Sequence, residues 1–137
     1  MNARIISTTL TAFQKRHDAR RQAAIAAQAE ATQRHGARIL ERAHANVPVA
    51  TGHLDDTLHT EAIAAVPGRT EVDVVAATPY ALAVHNRPDS EDQAHADEVT
   101  PEGHRGAGFL SRPVRFQQQT WLEDTLDSVM RALGGTN

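Results

Sequence analysis

Eight histidines (His17, His35, His44, His53, His59, His85, His95 and His104) and seventeen carboxylates are the groups of this chain that could hold a metal ion or move a proton. A helical zinc site places two imidazoles four residues apart, so that both point at one ion. No histidine pair has that spacing, and the histidines read as scattered, solvated side chains. The acidic run Asp89, Glu91, Asp92, Asp97, Glu98 and Glu102, with His95 and His104 among it, offers oxygen ligands but lacks the register of a calcium loop. Asp55 and Asp56 are adjacent, so on a helix or strand they do not face one another; they suit a turn or a helix start. With no cysteine there is no thiolate nucleophile, disulfide or thiolate metal site. No glycine-rich phosphate loop, G-x-S-x-G elbow or nucleophile–base–acid triad is legible. The expectation is a protein that is not an enzyme and uses neither cofactor nor metal.

The elements that carry these groups follow from composition and periodicity. At 137 residues the chain is expected to form a single domain over 1–137. Aromatic residues are 4% and alanines number 24, which implies a thin core of close-packed helices or of neighbouring chains. No apolar run reaches the ~18 residues of a membrane span, and MNARIISTTL lacks the apolar stretch of a secretory signal, so the chain reads as soluble with no membrane role.

From about Thr8 to Asn46 the chain has no proline and one glycine, Gly36, so a long helix is expected, softened at Gly36. Ile25, Ala29, Ile39, Leu40, Ala43 and Val47 fall in one helical sector, and Arg16, Arg20, Arg34, Arg38 and Arg42 in the opposite one. Ile6, Leu10 and Phe13 form a stripe nearer the arginine side. Two readings of that stripe stand: residues 1–10 form a separate segment or bend that folds Phe13 back onto the core, or Phe13 meets a neighbouring subunit. Thr57–Val66 and Thr70–Thr78 flank Pro67-Gly68-Arg69 as a β-hairpin, with Val72 and Val74 alternating with Glu71 and Asp73. Pro79 opens a short helix. Residues 87–108 are poor in large apolar side chains and read as a mobile acidic loop. A last helix starts with Ser111 as cap and Pro113 in its first turn, carries the apolar stripe Leu122, Leu126, Val129 and Leu133, and ends at Gly134-Gly135. Trp121 lies off that stripe and suits a contact surface. The fold class is α+β: long N-terminal helix, small antiparallel sheet built around a hairpin, short helix, mobile loop, C-terminal helix.

Charge is divided along the chain. Residues 1–46 carry eight basic side chains against three acidic ones, and the remainder six against fourteen, within a net charge of −3. Phosphates reward a row of arginines along a helix, so a basic-helix nucleic-acid-binding protein is one reading. A solvated or subunit-facing surface is the other, because the basic half of one copy complements the acidic half of the next. A small metal-dependent hydrolase using the acidic loop is a third reading that no residue pattern supports.

Three segments in order resemble a family of tailed-phage head-tail joining and tail-completion proteins. Val47-Pro48-Val49-Ala50-Thr51-Gly52-His53-Leu54 resembles its P-x-x-T-G-x-L signature; Pro79-Tyr80-Ala81-Leu82-Ala83-Val84 its Y-A-x-x-V segment; and Phe109-Leu110-Ser111-Arg112-Pro113-Val114 its P-F-L-R-P-A segment before the last helix. The match spans about residues 30 to 133. The chain departs from the pattern at His85-Asn86, where the family often has an acidic residue and then glycine, so the loop starting there is expected to differ in shape.

The resemblance implies a virion protein of the neck or upper tail, assembled in the bacterial cytoplasm. It would form a homo-oligomeric ring that joins the head connector to the tail tube around the DNA channel, without sequence-specific DNA binding. Tail terminator and connector stopper rings are the alternatives within it. Sixfold symmetry follows from the tail-side resemblance, with twelvefold the alternative, and other neck and tail proteins are the expected partners. The motif residues Pro48, Thr51, Gly52, Leu54, Tyr80, Ala81, Phe109, Arg112 and Pro113 take structural roles, with the Tyr80 ring beneath the sheet. Arg34, Arg38, Arg42, Trp121 and Phe13 are the expected interface. The acidic loop, Asp89 to Glu102, is expected to face the lumen or to order against a neck partner.

Overall fold

The structure is a computed structural model that describes residues 3–47, 53–66, 69–86, 99–100, 103–104 and 108–134, with side chains at 8–47, 53–61, 69–86 and 108–134. Its architecture is α+β. Helix α1 (Ala3–Asn46) is followed by a single turn, α2 (His53–Asp56), the hairpin β1 (Leu58–Val66) and β2 (Arg69–Ala76), and the short helix α3 (Ala81–His85). A two-residue ladder, β3 (Val99–Thr100) with β4 (Gly103–His104), precedes the last helix, α4 (Ser111–Ala132). That ladder lies within the stretch expected to be a loop.

Alanine and long-chain helix formers, with no proline, let α1 run for 44 residues, about 66 Å at 1.5 Å per residue. It passes through both Thr11 and Gly36 without interruption. The expected bend or separate segment at 1–10 is therefore corrected from Ala3 onward, and Phe13, 66% exposed, does not fold back onto the core.

Gly36 serves close packing rather than softening. A Cβ built there would stand 2.6 Å from Val72 Cγ1 and 3.3 Å from Val72 Cβ, so the bare glycine backbone lets β2 lie directly on the helix. The strands pair antiparallel from Leu58↔Ala76 to Val66↔Arg69, with an irregularity between Ile63 and Val66. Val72 and Val74 are partly buried and Asp73 is exposed, but Glu71, paired with Arg69, and Val75 are partly buried as well, so Asp73 alone shows the wet face of the expected alternation.

The core sits at the C-terminal end of α1. Ala43 and Val47 pack with Leu54 of α2, Leu58 of β1, Ala81 and Val84 of α3, and Phe109 just before α4. The Phe109 ring is fully buried and stands edge-on to His85, with centroids 5.3 Å apart. Gly108 adopts φ +70°, which only glycine takes at little cost, and its N–H donates to the His85 carbonyl at 2.8 Å, tying the end of α3 to the start of α4. Ser111 does not cap α4 as expected. It is the first helical residue, and its hydroxyl donates back to the Gly108 carbonyl at 3.3 Å. Pro113 is buried in the first turn, where an absent N–H costs nothing.

Candidate interaction surfaces

α4 lies antiparallel along α1, and the side chains that join them are largely polar. Arg34 donates to the Ser128 hydroxyl at 2.9 Å, and Arg38 to the Asp124 carboxylate at 2.8 Å. The Arg42 guanidinium sits 4.1 Å from the Phe116 ring centroid. Arg34 and Arg38 share the four-residue spacing of Asp124 and Ser128, so one antiparallel alignment satisfies both pairs. That spacing was a signal available in the sequence.

These contacts redirect two expectations. Arg34, Arg38 and Arg42, expected at a subunit interface, engage α4 of their own chain, and part of the charge asymmetry is met internally. The apolar stripe expected to anchor α4 turns largely outward instead, with only Val129 partly buried. Leu122 is 67% and Leu126 63% exposed, while Gln117 on the opposite side is buried. Reversing the arginines with Arg38→Glu and Arg42→Glu would set glutamate against Asp124. The double variant is expected to lower the melting temperature of the isolated chain, read by circular dichroism, so assembly defects in it would not report on an interface.

His35 is likewise not a solvated side chain. It is 3% exposed between α1 and α4, with Nε2 3.2 Å from Asp124 Oδ2, and neither ring nitrogen has a well-aligned hydrogen bond among the described residues. Burial, reinforced by Arg38 and Arg34 against the opposing pull of Asp124, holds its pKa below 6.5. Arg38, followed by His35, keeps the Asp124 carboxyl below its ordinary range. Burial also lowers His85 below 6.5. His59 moves the other way, raised by the Thr57 carbonyl and Glu61, but it lies on the exposed edge of β1.

The sign of the pH dependence follows. A histidine with a lowered pKa binds its proton more readily when unfolded, so its contribution is present at neutral pH and is lost as pH falls below 6.5. The melting temperature should drop between pH 7.5 and 5.5, and His35→Gln with His85→Gln should flatten that drop. An unchanged slope in the double variant would overturn the assignment.

Trp121 is half exposed and forms one wall of an open groove of about 330 Å³, with His35, Gly36 and Ile39 below and residues 70–73 of β2 opposite. Tyr80 is 39% exposed and inclines toward His53, with 6.3 Å between ring centroids. His44 meets Asp55 at 2.6 Å, closing the end of α1 onto α2 and giving Asp55 a structural contact. Of the motif residues, Leu54, Ala81 and Phe109 converge in the core, Pro113 is buried beside it, and Arg112 lines the Gly108 turn. Pro48, Thr51 and Gly52, and the loop acids Asp89, Glu91, Asp92, Asp97, Glu98 and Glu102, lie outside the described residues.

Among the described residues, exposed apolar side chains besides Tyr80, Leu82, Val114, Phe116 and Trp121 gather on two helix surfaces. One is the outer face of α4, with Leu122, Leu126, Met130 and Leu133. The other is the N-terminal part of α1, where every side chain from Thr8 to Gln22 is exposed, Leu10 and Phe13 included. Among the described residues no three histidine or acidic side chains converge as a metal site would require, and no helix is long and apolar enough to cross a membrane. No protein-family model, curated protein or solved structure matches the chain.

Proposed function

We propose that this chain is a structural protein of a long-tailed bacteriophage, forming a ring in the neck or at the top of the tail that joins the head connector to the tail tube around the DNA channel. The observation that carries this reading is the meeting of the three family-like segments in one core. Leu54, Ala81 with Val84, and Phe109 are 55 residues apart in sequence from first to last, yet they pack on the same Ala43–Val47 turn of α1. Residues that build a shared core are the ones a family pattern of scaffold type would retain, and none of them offers a nucleophile or a metal ligand.

Partner dependence supports the same reading. Among the described residues, Leu10, Phe13, Leu122 and Leu126 are each more than half exposed. A sixfold ring is the proposed assembly, and tail completion the proposed role, ahead of terminator or stopper. The test is direct: antibody labelling of virions of the encoding phage should mark the head–tail junction, at six copies per particle by quantitative mass spectrometry. Label on the capsid surface, or absence from virions, would overturn it.

One observation favours a second reading. Lys15, Arg16, Arg20 and Arg21 project on the exposed part of α1 and could meet DNA phosphates. Duplex binding whose logarithm falls with log salt at a slope of about −3 to −4, as four neutralised phosphates require, would select that reading. The joining role predicts ring formation in the absence of DNA.

A further inference from the structure

We infer that the exposed N-terminal arm of α1 docks on the outer face of α4 of a second copy of this chain, with Leu10 and Phe13 set against Leu122, Leu126 and Met130. The argument starts from geometry. α4 covers α1 only as far as the groove where Arg131 and Ala132 meet Ala27 and Glu30. Beyond it, residues 8–22 continue the same unbroken helix for about 20 Å with every side chain exposed. At 100° per residue, Leu10 and Phe13 share the side of α1 that carries Ala31, His35 and Arg38, so the arm is the bare extension of the surface on which α4 already sits. A straight helix cannot turn back onto the far side of its own α4. Only another molecule can bring the two open surfaces together.

The two surfaces match in extent and in charge. Leu122 to Leu133 spans about 17 Å along α4, close to the length of the arm. Residues 8–22 carry Lys15, Arg16, Arg20 and Arg21 against Asp18, whereas on α4 Asp124 is held inward by Arg38 and Asp127 is paired with Arg131, so that Glu123 is the acid the outer face offers a partner. Pairing arm with arm would set positive on positive, whereas the α4 face presents Glu123 to the arm's cations. The arm-to-α4 contact is the combination that opposes the charges. Such a contact joins two different patches, so it propagates head to tail and closes into a ring or grows as a filament.

The inference takes from the proposed function only that copies of the chain associate. Because the chain has no cysteine, single cysteines give a clean test. Phe13→Cys and Leu126→Cys are purified separately, mixed and mildly oxidised. A rim pair, Gln14→Cys with Gln119→Cys, repeats the test with both apolar patches intact. The expected result is a mixed disulfide dimer at least fivefold above either variant oxidised alone. A chain carrying both cysteines should give a ladder of multimers. Leu126→Asp should weaken association at least tenfold by light scattering while leaving the circular dichroism spectrum unchanged, since the residue is exposed. Homodimers of either single variant exceeding the mixed product, or a monomer with no cross-link in both pairs, would overturn the inference. Absence of the chain from virions would overturn the joining role and leave this contact standing.

Discussion

Phe109→Ala should be the most damaging single truncation in the chain, at about 3–5 kcal/mol, or about 10–20 °C in melting temperature. Phe109 is the largest fully buried side chain among the described residues, and the cluster around it otherwise consists of alanines, valines and leucines. Removing the ring leaves a cavity among Val47, Leu54 and Val84 that short side chains fixed on four different elements cannot close, and it takes away the edge-on contact with His85. Phe116→Ala is the comparison. That ring is half exposed and lies under Arg42, so its loss should cost about 1 kcal/mol. Chemical denaturation at one fixed protein concentration separates the two, because self-association would otherwise shift the midpoint. Equal losses for the two substitutions would mean that the core is not centred on Phe109.

Gly36→Val should destabilise by about 2–3 kcal/mol, although replacing a mid-helix glycine by any residue other than proline gains helix propensity. The gain is overridden because the first added carbon already meets Val72 Cγ1 at 2.6 Å, and two further methyl groups must push β2 away from α1. Val72 is β-branched and has little rotamer freedom with which to yield. Combining Gly36→Ala with Val72→Ala tests the cause. Alone, Gly36→Ala is expected to destabilise by about 1 kcal/mol, and in the Val72→Ala background it should become neutral or stabilising as the propensity term is released. Additive effects in that double-mutant cycle would show that the close approach is not what requires glycine.

The elements were legible in the sequence because each rests on local chemistry. Alanine richness without proline specifies α1, the β-rich runs on either side of Pro67-Gly68 specify the hairpin, and Phe109 to Pro113 mark the start of α4. The packing partners of those elements were less legible. Leu122, Leu126, Val129 and Leu133 make a regular stripe, and periodicity assigns such a stripe to the interior. In the fold Leu122, Leu126 and Leu133 point outward and Val129 is only partly covered, because Arg34 and Arg38 of α1 draw Asp124 and Ser128 inward and a helix can show only one side to its partner. His35 was misread for the same reason: three polar neighbours in sequence gave no sign that α4 would cover it.

What the chain determines on its own is therefore the inventory of helices and strands, the division of charge, and the short motifs that become the core, since each depends on residues within a few turns of one another. Tertiary structure alone decided that Gly36 is a point of contact rather than flexibility, that Arg34, Arg38 and Arg42 bond within the chain, and that Leu10, Phe13, Leu122 and Leu126 stand exposed among the described residues. Periodicity defines which residues share a face, whereas the direction of that face depends on contacts between residues as far apart as Arg34 and Ser128, and such contacts exist only once the helices have been brought side by side.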